Sequence, residues 1–251
     1  MAFCELHYRS AALEKQTAAN VILPEDPALE PPYAVMYLLH GLSDDHTIWC
    51  RRTSIERYVE GLPLIVVMPD GGRGFYTNAV RGFAYERAIV EDLIPLIDRT
   101  FPTRAERSGR CIGGLSMGGY GALRLAFRRP DVFCSAVSHS GAVYFGHRPV
   151  PADDYRADEF GRILGDAPTG GRNDLHFLVE KAPKNDLPAL RLDCGLDDFL
   201  LADNRLFHEH LARLGVAHEY EEFPGAHEWG YWDVHVQEAI RFHMRSLGRA
   251  T

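Results

Sequence analysis

The stretch GGLSMGGYGALRLAF, residues 113–127, places a single serine among glycines and continues directly into helix-forming sequence. Its centre, Gly114 to Gly118, matches the G-x-S-x-G pattern of a nucleophile elbow, a sharp turn between a strand and a helix. An apolar run before Ser116 and a helical pattern after it supply the context that this pattern requires. We therefore predict that Ser116 is a nucleophile and that the flanking glycines avoid a clash with it. A helix-capping serine at a glycine-rich turn is the alternative.

Apolar runs alternate with amphipathic stretches along the rest of the chain. Runs such as YAVMYLLHG at 33–41 and LPLIVVMPDGG at 62–72 are continuous, which predicts strands buried on both faces of a mainly parallel sheet. Helical patterns occur between such runs, as in AYERAIVEDLIPLIDRTF at 84–101 and LADNRLFHEHLARLG at 201–215. This alternation predicts a doubly wound α/β fold with helices on both faces of the sheet. The polar, alternating residues 4–24 suit an antiparallel pair of strands at its edge.

The sequence predicts one domain over residues 1–251, with one irregular segment inside it. Hydrophobic residues make up 46% of the chain and charged residues 25%, which is ordinary for a globular protein. The segment from 143 to about 188 is rich in Pro, Gly and Asp and carries only short helical patches. Because it is too long for an ordinary connection, we interpret it as a lid-like insertion. A surface insertion without a catalytic role is the alternative.

Charge and cysteine usage narrow the classes of partner. The formal net charge is -8 and the basic residues form no tract, which disfavours nucleic acid and anionic membranes as partners. The 5 cysteines are far apart and form no C-x-x-C pair, so we expect neither a disulfide framework nor a zinc site. The N-terminus has no apolar run and no segment is long enough to cross a bilayer. We therefore expect no signal peptide and a cytoplasmic location.

A nucleophilic serine needs a base that takes its proton and an acid that orients the base. In this architecture the order along the chain is serine, then Asp or Glu, then histidine. Asp197 and Asp198 follow the apolar run ALRLDCG, and His227 follows the run HEYEEFPG. Both loops are expected at the carboxyl ends of strands, where open α/β sheets build their sites. Spacing alone leaves the choice between Asp197 and Asp198 open.

The positions of the other histidines favour His227 as the base. His40 precedes the serine and fails the required order, and His139 is expected to lie apart from any acid-bearing strand end. The His208-x-His210 spacing splays two side chains around a helix, so it does not predict a metal site. Surface or packing roles are expected for the histidines on predicted helices, His208, His210, His235 and His243. No supporting flanking pattern surrounds His7, His147, His176 or His218.

Stabilisation of an oxyanion requires backbone N–H donors beside the nucleophile. One is predicted to be the N–H of Met117, which directly follows the serine. The other is predicted in the loop after the first buried strand, His40-Gly41-Leu42. There Gly41 lets the backbone turn inward, and Leu42 presents its N–H.

Several stretches of the chain together resemble the esterase D-like branch of the α/β-hydrolases: YLLHGLSDDHTIW, VVMPDGGRGFYTN, GGLSMGGYGALRLA, CGLDDFL and FPGAHEWGYW. The resemblance implies an α/β-hydrolase fold, with a mostly parallel central sheet and helices on both faces. It implies that Ser116 is the nucleophile, His227 the base and Asp198 the acid. It also implies that Leu42 and Met117 are the oxyanion donors. No cofactor is implied, and members of the family often form homo-oligomers.

The resemblance also narrows the substrate to a small-molecule ester. S-formylglutathione hydrolases typically carry serine in place of the HG histidine and a cysteine soon after it, whereas this chain reads LLHGLSDD. This difference favours the tributyrin and acetyl esterases of the branch. We therefore expect a serine carboxylesterase that hydrolyses short-chain acyl esters through an acyl-enzyme, with an S-formylglutathione hydrolase as the alternative. A non-catalytic binding protein with the hydrolase fold is disfavoured, since every triad residue is present.

Candidates for a substrate pocket are the aromatic residues Trp49, Tyr76, Phe145 and Trp229. They would line an acyl or leaving-group pocket, although ordinary core packing explains each of them equally well. The elbow itself carries no specificity, so we expect specificity to lie in the loop after Gly41 and in the insertion 143–188.

Overall fold

The computed structural model of the protein describes residues 1–248, which are organised around an eight-stranded sheet. The strands are β1 Ala2–Ser10, β2 Lys15–Leu23, β3 Ala34–Leu39, β4 Leu64–Pro69, β5 Arg110–Leu115, β6 Ser135–His139, β7 Ala189–Gly195 and β8 Glu219–Phe223. They lie in the order β1-β2-β4-β3-β5-β6-β7-β8. β2 pairs antiparallel with β1 and with β4, and the neighbours from β4 to β8 are parallel.

Helices connect the parallel strands, and a last helix follows β8. They are α1 Ile48–Arg52, α2 Ile55–Tyr58, α3 Tyr85–Arg87, α4 Ile94–Thr100, α5 Met117–Arg128, α6 Ala157–Leu164, α7 Leu175–Lys181, α8 Leu201–Leu214 and α9 Trp229–Ser246. A π-helical turn, Ala88–Leu93, joins α3 to α4, so the helix predicted at 84–101 is present but irregular ahead of Pro95. Within the described part of the chain, every helix is too short or too polar to traverse a lipid bilayer.

Alternate residues of the central strand β3 face opposite sides of the sheet and pack into separate cores. Val35, Tyr37 and Leu39 belong to one core, which includes residues of α4, α5 and α8. Met36 and Leu38 belong to the other, which includes residues of α1, α2 and α9. Helices therefore cover both faces of the sheet, and the predicted layer arrangement is confirmed.

The antiparallel pair predicted within residues 4–24 is present, but its two strands differ in burial. β1 forms the edge of the sheet and shows the alternating exposure that the sequence suggested. Most of β2 is buried, because it lies between β1 and β4. The polar pattern therefore located the antiparallel pair correctly at the edge of the sheet, with β1 outermost.

The segment 143–188 carries α6 and α7 close to its predicted helical patches. Phe160 of α6 and Leu175 of α7 belong to the same core as α5. Asn173 is buried as well, and its backbone carbonyl accepts a hydrogen bond of 2.6 Å from the hydroxyl of Tyr120. Much of the segment is therefore continuous with the main core, and its function as a lid stays a prediction.

Candidate active site

Ser116 occupies the turn between β5 and α5 with φ 52° and ψ -115°, a conformation that residues with a side chain rarely adopt. A Cβ added to Gly114 would lie 2.6 Å from the carbonyl carbon of Gly118 and 2.8 Å from the carbonyl oxygen of Leu39. One added to Gly118 would lie 2.5 Å from that same Leu39 oxygen. The glycines thus make room for the end of β3 and the first turn of α5. That they also avoid a clash with the serine stays a prediction.

The structure brings Ser116, His227 and Asp198 together at the carboxyl ends of β5, β8 and β7. Ser116 Oγ lies 3.0 Å from His227 Nε2. His227 Nδ1 lies 2.8 Å from Asp198 Oδ2 and 3.1 Å from its Oδ1. Asp198 is buried, whereas its neighbour Asp197 is exposed. The geometry therefore selects Asp198 from the two acids that spacing left open.

Asp198 lies in an environment that keeps its carboxyl group ionised. Burial alone would raise its pKa, but hydrogen bonds from His227 and from the backbone N–H of Leu200 lower the pKa below its ordinary value. The Leu200 N–H donates to Asp198 Oδ1 at 2.8 Å. An ionised Asp198 accepts a hydrogen bond from the Nδ1–H of His227, which leaves Nε2 free to accept the hydroxyl proton of Ser116.

The loop after β3 lies beside the serine, as predicted for an oxyanion hole. A Cβ added to Gly41 would lie 3.7 Å from Ser116 Cβ. The N–H of Leu42 donates to no backbone carbonyl among residues 1–248. Met117 is the first residue of α5, so its N–H lacks an acceptor within the helix. Both groups are therefore available as donors to an oxygen bound beside the serine.

His40, which the order along the chain excludes as the base, instead fixes this loop. Its Nε2 accepts a hydrogen bond of 2.8 Å from the N–H of Gly71, so the ring proton is on Nδ1. Nδ1 then donates to the carbonyl of Gly41 at 2.7 Å. That carbonyl and the N–H of Leu42 belong to one planar peptide unit. The imidazole of His40 therefore holds the unit that carries the predicted Leu42 donor.

A cavity of about 750 Å³, here called the serine cavity, is lined by Ser116 and His227. Phe145 and Trp229 also line it, as predicted. The prediction is wrong for the other two aromatic candidates, because Trp49 and Tyr76 are buried behind the cavity. Trp49 Nε1 donates to the Leu39 carbonyl at 3.1 Å, and the Tyr76 hydroxyl donates to the His40 carbonyl at 3.1 Å. Both side chains therefore support the end of β3 from inside the core.

The walls of the serine cavity contain aromatic residues that the sequence did not single out. Phe75 stacks on Phe145 with ring centroids 3.6 Å apart, and Phe160 packs edge-on against Phe75 at 5.3 Å. Phe199 lies beside the imidazole of His227, with ring centroids 4.5 Å apart. These residues come from separate parts of the chain, and only the folded structure brings them to one cavity.

The polar residues of the serine cavity carry more negative than positive charge. Arg148 is paired with Asp203 at 2.7 Å, and Arg156 is paired with Asp154 at 2.9 Å. Asp44 and Glu228 also line the cavity, and neither has a cationic partner within 4.0 Å in the described part of the chain. Burial raises the pKa of Asp44 above its ordinary value. The cavity is therefore better suited to a neutral ligand than to an anionic one.

His139 was expected to lie apart from any acid-bearing strand end, and the acid that it contacts lies within a strand instead. It pairs in the sheet with Asp193 of β7, and its Nδ1 lies 2.8 Å from Asp193 Oδ2. Asp193 also accepts a hydrogen bond of 3.0 Å from the hydroxyl of Tyr231. His139 and Asp193 are both fully buried and line no part of the serine cavity. They form a second histidine–aspartate pair, which lies inside the sheet and apart from the serine cavity.

A further histidine cluster lies in the segment 143–188. Ligand atoms of His147, Asp174 and His176 lie within 4.8 Å of one another. The two imidazoles are stacked with centroids 3.9 Å apart and planes 24° apart, so their in-plane lone pairs run side by side instead of converging. Asp174 already accepts hydrogen bonds from backbone N–H groups at the start of α7. The cluster therefore suits helix capping and stacking better than metal binding.

Comparison with known proteins relates this chain to esterases. The Esterase family model, described as "Putative esterase", matches residues 10–243. The chain is 29% identical to the acetyl esterase of Caldicellulosiruptor saccharolyticus, over 96% of this chain and 98% of that protein. It is 34% identical to an esterase of Mycobacterium tuberculosis, over 88% of this chain and 54% of that protein. The chain therefore spans about half the length of the mycobacterial relative.

Solved structures agree with the family match. A fluorophosphonate-binding serine hydrolase of Staphylococcus aureus aligns with a TM-score of 0.87 and 33% identity, covering 96% of this chain and 98% of that one. An S-formylglutathione hydrolase of Staphylococcus aureus aligns with a TM-score of 0.85, 33% identity and the same coverage. These matches confirm the predicted α/β-hydrolase fold.

Proposed function

We propose that Ser116, His227 and Asp198 carry out the reaction of this chain on short-chain acyl esters. The chain belongs to the Esterase family and is a serine carboxylesterase. The observation that carries the proposal is the unbroken line of hydrogen bonds from Ser116 Oγ through the imidazole to Asp198. A strained serine at a helix N-terminus, next to two free N–H groups, supports the same assignment.

In the first half of the reaction, Ser116 Oγ attacks the ester carbonyl carbon while His227 Nε2 takes the hydroxyl proton. The N–H groups of Leu42 and Met117 stabilise the resulting oxyanion, and Asp198 stabilises the imidazolium. The bond from carbon to the alcohol oxygen then breaks, and His227 gives its proton to that oxygen. Water attacks the acyl-enzyme by the same route, so that the carboxylic acid leaves and Ser116 is restored.

Three features support small, uncharged acyl groups as the substrates. The stacked rings of Phe75, Phe145 and Phe160 fill one wall of the serine cavity and make that wall apolar. The surplus of carboxylates disfavours acyl groups that carry a second carboxylate. The named relative from Caldicellulosiruptor saccharolyticus is an acetyl esterase. Acetyl and butyryl esters, including tributyrin, are therefore the first substrates to test.

The test is hydrolysis of p-nitrophenyl acetate and p-nitrophenyl butyrate by the wild type and by Ser116→Ala. We expect Ser116→Ala to reduce turnover to the background rate, because no other group forms the acyl-enzyme. Ser108→Ala, at an exposed serine outside the serine cavity, is the matched control and should keep full activity. Undiminished turnover in a folded Ser116→Ala sample would remove Ser116 as the nucleophile.

An S-formylglutathione hydrolase is the second candidate, and the Staphylococcus aureus structure of that name favours it. The same triad would hydrolyse a thioester. Glutathione, however, carries more carboxylates than ammonium groups, and Asp44 and Glu228 of the serine cavity lack cationic partners within 4.0 Å among residues 1–248. We therefore expect a lower kcat/KM for S-formylglutathione than for the neutral acetyl esters. The opposite ranking would favour the thioesterase.

A further inference from the structure

Phe199 is an aromatic residue that remains 75% exposed although it lies directly beside His227. It follows Asp198 in the chain, lines the serine cavity and tilts by 50° against the imidazole. Burial of a phenylalanine ring in an apolar environment is favourable, so an open ring at a cavity indicates a surface that an apolar partner covers.

The two aromatic neighbours of His227 differ in how they are held. Trp232 packs edge-on against the imidazole at 4.9 Å, is buried, and donates from Nε1 to Ser140 Oγ at 3.3 Å. Phe199 has no polar anchor, and the imidazole is the one aromatic ring that it contacts within the described residues. Trp232 is therefore fixed by the protein and suited to orient the histidine. Phe199 presents an open ring face.

Three other aromatic rings of the cavity are already engaged with one another. Phe75, Phe145 and Phe160 are stacked or packed edge-on at centroid distances from 3.6 to 5.3 Å. Phe75 and Phe160 are buried and belong to the main core. These rings form a closed wall, whereas Phe199 is available to a ligand.

The chemistry of the triad decides which part of a substrate meets Phe199. His227 Nε2 gives its proton to the departing alcohol oxygen, so the alcohol half of the ester must lie on the histidine side of the serine. We infer that Phe199 is a specificity-determining residue that binds the alcohol half of the ester through its open ring face. An alcohol that carries a flat or CH-rich ring, a phenol or a pyranose, would stack there. This inference rests on the proposed function.

The test compares three acetates that differ in the alcohol only: ethyl acetate, phenyl acetate and an acetylated methyl glucopyranoside. The ratio of kcat/KM between variant and wild type is taken for each substrate, so that intrinsic reactivity cancels. We expect Phe199→Ala to reduce kcat/KM about three- to tenfold for the ring-bearing substrates, which is the range of one aromatic contact. Ethyl acetate should change less than about twofold, because it offers no ring.

Two further variants make the outcome decisive. Phe199→Tyr keeps a flat ring and should restore the preference for ring-bearing alcohols, whereas Phe199→Leu should not. Tyr155→Ala is the matched control, since Tyr155 is 90% exposed but lies outside the serine cavity. It should leave the three ratios unchanged.

The three substrates also show which kind of alcohol Phe199 binds, or that it binds none. A loss confined to phenyl acetate identifies an aryl alcohol, and a loss confined to the pyranoside identifies a sugar alcohol; both support the inference. An equal loss for all three acetates would mean that Phe199 only positions His227, and it would overturn the inference. Failure of the wild type to hydrolyse any acetate would overturn the proposed function instead.

Discussion

The carboxyl edge of the sheet and the segment 143–188 meet at one cavity, yet they are held in different ways. At the sheet edge, Ser116, Asp198 and His227 follow three parallel strands whose register is fixed by backbone hydrogen bonds. Across the cavity, the segment is tied by side-chain ion pairs such as Glu159 with Arg73 and Arg148 with Asp203. Backbone hydrogen bonds therefore fix the strand ends from which the three residues follow, whereas side-chain ion pairs join the segment to the residues around it.

The largest expected effect concerns the three residues at the carboxyl edge of the sheet. We expect His227→Ala to reduce kcat by about 10⁴- to 10⁶-fold, because the serine then has no base for its proton. Steady-state kinetics on p-nitrophenyl acetate measures the loss. His218→Ala, at a histidine outside the serine cavity, should retain activity. Comparable losses in both variants would contradict the assignment of the base.

The neighbouring acids offer a sharper test of the same region. We expect Asp198→Asn to lower kcat by about 10⁴-fold, because the amide no longer holds the imidazole in the required tautomer. Asp197→Asn should change kcat by less than about twofold, since that carboxylate is exposed and does not contact His227. If Asp197→Asn were the more damaging substitution, the geometry around His227 would be wrong.

The next effect tests whether the buried part of the segment 143–188, around Asn173, belongs to the core. Arg124 of α5 is fully buried, lies 2.8 Å from Glu86 and donates to Asn173 Oδ1 at 3.0 Å. We expect Arg124→Ala to lower the free energy of unfolding by about 3–5 kcal/mol, because Glu86 is left buried with weaker compensation. Urea denaturation measures this change. Arg128→Ala, which removes a more exposed partner of Glu86, should lower it by about 1 kcal/mol or less.

The same ion pair predicts a pH dependence of stability. Burial alone would raise the pKa of Glu86, but the guanidinium groups of Arg124 and Arg128 lower it below the ordinary value of 4.5. A carboxyl group with a lowered pKa in the folded state stabilises the protein above its unfolded pKa, and this contribution is lost as the pH falls. We therefore expect the stability difference between the wild type and Glu86→Gln to shrink below pH 4.5. Urea denaturation at several pH values measures this difference in the free energy of unfolding. A difference that does not change with pH would contradict the expectation.

The smallest expected effect concerns an ion pair that holds the segment 143–188. Arg73 makes two hydrogen bonds to Glu159 of the segment, at 2.6 and 2.7 Å, and a third to Ser43 Oγ at 3.1 Å. It thereby joins α6 to the loop that carries Leu42. We expect Arg73→Gln to raise KM for p-nitrophenyl butyrate about two- to fivefold, because exposed ion pairs contribute little each.

Arg87→Gln is the control for that substitution, since Arg87 forms an exposed ion pair with Glu91 outside the serine cavity. It should leave KM unchanged. A loss of kcat in Arg73→Gln as large as that of the triad variants would abolish the distinction between the two regions.

The sequence predicted the sheet edge well because its signals are local. A nucleophile elbow, a strand end before Asp198 and another before His227 each appear within a few residues of the chain. Parallel strands bring their carboxyl ends to one edge whatever the register, so the order along the chain was enough to predict that these residues meet. The choice of Asp198 over Asp197 needed the family resemblance, and the geometry agrees with it.

The sequence predicted the cavity walls poorly because those contacts join distant residues. Trp49 and Tyr76 looked like pocket residues, but each sends its polar atom to a carbonyl in or beside β3 and is buried. Phe75 lies in the quoted stretch VVMPDGGRGFYTN but was not singled out, and Phe160 lies in no quoted motif. The pairing of His139 with Asp193 also escaped prediction, because it depends on β6 lying next to β7.

We propose that Ser116 is the nucleophile and that Asp198, acting through His227, activates it. The most direct measurement is reaction with a fluorophosphonate, followed by intact mass spectrometry and peptide mapping. We predict a single adduct on the peptide that contains Ser116, formed much more slowly in Asp198→Asn and at the normal rate in Asp197→Asn. An adduct on another residue, or a folded protein that forms none, would contradict this assignment of the nucleophile.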